Sequence, residues 1–79
     1  MLARGDALIL RAHEYRDGSD TILVTVDVVG DVRQAQDGAW LVSVRATETT
    51  PTGRRTRFLQ IDSAAVSTAK LRVGVVALW

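Results

Sequence analysis

Residues 38–61 read GAWLVSVRATETTPTGRRTRFLQI, and the fold turns on how this stretch pairs with itself. Trp40, Val42, Val44 and Ala46 alternate with Leu41, Ser43, Arg45 and Thr47, the period of two of a half-buried strand. Thr50-Pro51-Thr52-Gly53 predicts a type I turn: proline presets φ at the second position, and glycine accepts the left-handed conformation that follows. Arg54 to Ile61 forms the returning strand. A three-residue loop would set Val44 opposite Gln60 and mix apolar with polar residues on both faces. A four-residue loop pairs Thr49 with Arg54, Val44 with Leu59 and Val42 with Ile61, and sorts the faces. A slip of one residue would turn every side chain over, so the second register is expected, with Gly53 available for a bulge.

In that register Val42, Val44, Leu59 and Ile61 share one face, with Glu48 near Arg55 at the tip. Ser43, Arg45, Thr47, Thr49, Arg54, Thr56, Phe58 and Gln60 share the other. Arg45 faces Phe58 across the strands, where a cation–π contact is worth about 0.5–1 kcal/mol. Arg45, Arg54, Arg55 and Arg57 fall within thirteen residues, with Phe58 beside them. These five are the candidate binding residues, for a protein partner or for nucleic acid. The plainer reading is a solvated face in a chain that carries nine arginines and one lysine.

Working outward, Ala7 to His13 predicts a first strand, and Glu14 to Asp20 a polar loop that turns at Asp17-Gly18-Ser19. Thr21 to Val32 predicts the longest strand, with Ile22, Val24, Val26, Val28 and Val32 on one face and a bend or bulge at Gly30. Arg33 to Asp37 leads into the central hairpin. After Ile61, Asp62 reads as a helix N-cap for a short helical turn, with Val66 and Ala69 plugging one end of the core. Leu71 to Trp79 predicts a closing strand.

This order describes an all-β fold: a small five-stranded barrel occupying residues 1–79 as a single domain, with one short helical turn before the last strand. The layout resembles the Src-homology-3-like small barrel; the oligonucleotide/oligosaccharide-binding barrel is the alternative. The expected interior is Val24, Val26, Val28, Trp40, Val42, Val44, Leu59, Ile61, Val73 and Val75.

Composition narrows the chemistry. The chain has no cysteine and one histidine, so disulfides and thiolate metal sites are excluded. His13 sits beside Glu14 at a strand end, as a surface histidine does, and no carboxylates cluster with it in sequence to complete a zinc site. Asp27 and Asp31 share a strand face about 13 Å apart, too far for a cooperating pair. The six glycines are scattered singly, so no phosphate loop forms. The expectation is a non-enzymatic protein with no cofactor and no metal. The apolar start is broken by Asp6 and is too short for a signal peptide, and no stretch approaches the ~20 residues of a spanning helix. A cytoplasmic or virion-associated location, away from membrane, is expected.

Charge is split along the chain: residues 1–44 hold four basic and seven acidic residues, and residues 45–79 six basic and two acidic. Opposite halves suit head-to-tail contacts between copies. The leading expectation is therefore an interaction or assembly module, a subunit of a homo-oligomer or of a larger phage- or plasmid-encoded particle. Trp79, Ile9, Leu41 and Val29 are its candidate apolar contacts. The alternative is a nucleic-acid-binding barrel that uses the hairpin 45–58, although the net charge of only +1 is low for that role.

Overall fold

The computed structural model describes residues 2–77. Four strands, β1 (Ala7–Leu10), β2 (Ile22–Gln34), β3 (Trp40–Thr50) and β4 (Gly53–Asp62), make one antiparallel sheet in the order β1-β2-β3-β4. One helix, α1 (Val66–Ala77), follows them. The sheet curls into a half-barrel rather than closing.

The central hairpin has the expected register: Thr49 pairs with Arg54, Val44 with Leu59 and Val42 with Ile61. Gly53 closes the turn at φ 144°, a conformation that a β-carbon disfavours. Val42, Val44, Leu59 and Ile61 are buried, and the apolar rows continue through Val24 and Val26 of β2 into Leu8 and Leu10 of β1.

β2 departs from simple alternation twice. Its register against β3 steps between Val26 and Val28, and again between Val29 and Val32. Each step is a bulge, an added residue that turns the following side chains to the other face. Val24 and Val26 thus point inward, while Val28 lies opposite Arg45 on the outer face. Val29 and Val32 return to the inner side, opposite Val44 and Val42. A β-carbon on Gly30 would lie 3.1 Å from the Ser43 carbonyl oxygen, so the second bulge favours glycine. The bend expected at Gly30 is present, but Val28 is not a core residue and is 45% exposed.

The expected closing strand from Leu71 is instead the body of α1; Leu78 and Trp79 lie outside the described residues. Asp62 does cap, its carboxylate accepting the Ala64 N–H at 3.0 Å. The 3-10 turn that it starts, Ser63–Ala65, runs directly into the helix. Val66 and Ala69 are buried and Val73 is half-buried, which is the three-to-four spacing of a helix face. The alternation of Leu71, Val73 and Val75 imitated a strand, but Leu71 and Val75 are exposed. Trp40, also expected inside, is 52% exposed at the open end of the sheet. The five-strand count and the Src-homology-3-like layout are not confirmed.

Buried charge holds α1 in place. Arg72 donates to both carboxylate oxygens of Glu14, at 2.5 and 2.8 Å, and to the Ile9 carbonyl at 2.9 Å. Lys70 pairs with Asp6 at 3.0 Å. β1 stops at Leu10, short of His13, because Ala12–Glu14 turns as a 3-10 helix that brings Glu14 under Arg72. Beyond it, Tyr15 bridges to Ile61, and the Arg16 N–H donates to the Gln60 carbonyl at 2.9 Å. A loop thus covers part of the β4 edge.

Candidate interaction surfaces

The five candidate residues of the hairpin divide between two faces. Arg45, Arg54 and Phe58 lie on the outer face and are exposed, Phe58 by 81%. Val28, Arg45 and Phe58 form one row across three strands, because Val28 pairs with Arg45 and Arg45 with Phe58. An open depression of about 570 Å³ lies beside this row, lined also by Gly30, Ser43, Arg16, Asp17 and Gln60. Neighbouring threonines keep the face polar, and Thr47 donates to the Asp27 carboxylate at 2.8 Å.

Arg55 and Arg57 lie on the inner side at the tip and both donate to Glu48, Arg55 at 3.3 Å and Arg57 in a shorter contact. Glu48 is buried. Burial pushes its pKa up, but donation from Arg57 and Arg55 outweighs this and leaves it below the usual carboxylate range. The basic cluster is therefore partly neutralised from within, and its outward charge is carried by Arg45 and Arg54.

A second surface arises because β2 is much longer than β1. β1 pairs with residues 22–25 of β2, and the Gly5 and Asp6 backbone extends this pairing to Val26. From Val28 to Gln34 β2 keeps β3 on one side and, among the described residues, meets no other strand on the opposite side. Val29 and Val32 on this overhang are 39% and 59% exposed, and Trp40 stands beside them on the same side of the sheet. Of the apolar contacts expected from sequence, Val29 is exposed, Ile9 is half-buried and Leu41 is buried. Leu41 lies beside Tyr15 and Arg16, and Arg16 is itself tied to Asp37 at 3.1 Å. Trp79 lies outside the described residues.

Val28 and Trp40 were placed in the core by sequence alternation, and Val32 on the same strand face as the core valines, so all three were missed as surface residues. For Val32 and Trp40 the signal that could have found them is length, since a strand of 13 residues beside one of four must overhang; Val28 is turned outward by the first bulge instead. A third apolar area, around Ile9, Leu71 and Val75, lies where α1 crosses β1.

His13 is exposed, and among the described residues no group of three or more acidic, histidine or cysteine side chains could hold a metal ion. No helix among them is long and apolar enough to cross a membrane. Comparison of the chain with protein-family models, curated proteins and solved structures gave no match.

Proposed function

We propose that this protein is a non-catalytic interaction and assembly module whose contact surface is the overhanging part of the β2–β3 hairpin. One observation carries the reading: Val29, Val32 and Trp40 are exposed together beside a length of β2 whose edge away from β3 meets no strand among the described residues. An unpaired strand edge offers a row of main-chain donors and acceptors, and adjacent apolar side chains supply the area that a partner would bury. Size-exclusion chromatography with light scattering tests this, run with and without a short oligonucleotide. The expected result is a multimer whose mass ignores the oligonucleotide.

A nucleic-acid-binding role is the second reading, favoured by Phe58, which stands 81% exposed opposite Arg45. Arg45 and Arg54 would meet phosphates, and Phe58 would stack on a base. Arg55 and Arg57, held by Glu48, would contribute less. A monomer that shifts on adding oligonucleotide would favour this reading over assembly.

A further inference from the structure

We infer that the partner of the β2 overhang is a second copy of the same chain, paired antiparallel along residues 30–34 with Val32 on the twofold axis. The inference rests on the assembly reading and names its partner and register.

Main-chain direction comes first. The Ala35 N–H donates to the Ala39 carbonyl at 2.8 Å across the β2–β3 turn. Hydrogen-bonded and non-bonded pairs alternate along an antiparallel ladder, so Arg33 next turns its main-chain groups toward β3. Val32 and Gln34 then aim theirs at the open edge. Two copies of Val32 facing each other can exchange both N–H···O=C bonds, and Gly30 of each copy meets Gln34 of the other.

Charge complementarity selects the register. With Val32 opposite Val32, Asp31 of each copy stands opposite Arg33 of the other, giving two opposite-charge pairs on either side of an apolar centre. Moving the register by one residue in one direction sets Asp31 against Asp31, and in the other direction Arg33 against Arg33. Both juxtapose like charges. This register centres on Val32, just past the bulge that Gly30 and Asp31 occupy, whereas registers centred further back would put that bulge at the middle of the ladder. Val32 is 59% exposed, so little stands between it and a partner. Such a twofold contact is self-complementary and closes at two copies.

Charge reversal gives a test that general damage cannot imitate. Asp31→Arg and Arg33→Asp should each weaken self-association by about tenfold, because both cross-strand pairs become repulsive. An equimolar mixture of the two variants should form a heterodimer, since each then supplies the charge that the other lacks. Separately, Val32→Cys should give a disulfide-linked dimer on mild oxidation in this cysteine-free chain. Thr52→Cys, at the remote turn, should not. A wild-type multimer that ignores both reversals, with no heterodimer and no preferential Val32→Cys cross-link, overturns the register and leaves assembly through another surface standing. A wild type that stays monomeric at ~100 μM and shifts only with oligonucleotide, weak though such binding can be, removes the assembly reading itself.

Discussion

Glu14 is a buried carboxylate whose ion pair lowers its pKa strongly. Its carboxyl is held at about 2 against an ordinary 4.5, first by the Arg72 hydrogen bonds, with the Arg11 N–H assisting and burial opposing. A carboxyl lowered on folding stabilises the protein above its unfolded pKa and loses that contribution as pH falls through the folded one. Stability should therefore decline between about pH 4.5 and 2, by about 3 kcal/mol from this group. Urea denaturation across this range should show the decline in the wild type and a shallower one in Glu14→Gln. At neutral pH, Arg72→Leu should lower the urea midpoint, because it leaves the Glu14 carboxylate without its cation. A urea midpoint unchanged in Arg72→Leu would mean that this pair does not hold the helix.

At the scale of elements, the hairpin was legible and β2 was only half so. Alternation on two strands joined by Pro51 and Gly53 admits one register that sorts the faces, and this register is the one formed. The bulges were not legible as a pair. The second reverses the inversion made by the first, so a regular reading lands on the correct face at Val32 and the wrong one at Val28. Helix α1 was hidden because LRVGV satisfies a period of two as well as it satisfies a helix, and the tertiary contacts of Val66, Ala69, Lys70 and Arg72 decide between them. The two valines make a direct check. Val44→Ala should lower stability by roughly 1–3 kcal/mol through lost burial and a residual cavity. Val28→Ala should stay within about 0.5 kcal/mol, as surface changes do. Equal urea midpoints for the two would contradict the bulged register.

For the molecule as a whole, the function was the least legible property, because surface chemistry depends on which side chains the fold leaves outside. Four arginines close in sequence become two pairs, one outward and one bound to Glu48. If the outer face does bind nucleic acid, Arg54→Ala should make the salt dependence shallower by roughly 0.7–0.9 in the log–log slope. Phe58→Ala should cost about 1–3 kcal/mol of affinity with the slope unchanged. Titration of labelled oligonucleotides at two salt concentrations separates these, and no wild-type binding at ~100 μM in low salt ends the idea. The bond from Glu14 to Arg72 also carries information about time. It joins positions 58 apart in the chain, whereas β2, β3 and β4 meet through short turns. Closing a long loop has to precede any gain from such a distant contact, so the meander should collapse first and the helix should dock after the rate-limiting barrier. Arg72→Leu would then speed unfolding while leaving refolding nearly untouched, a chevron whose right arm rises and whose left arm stays still.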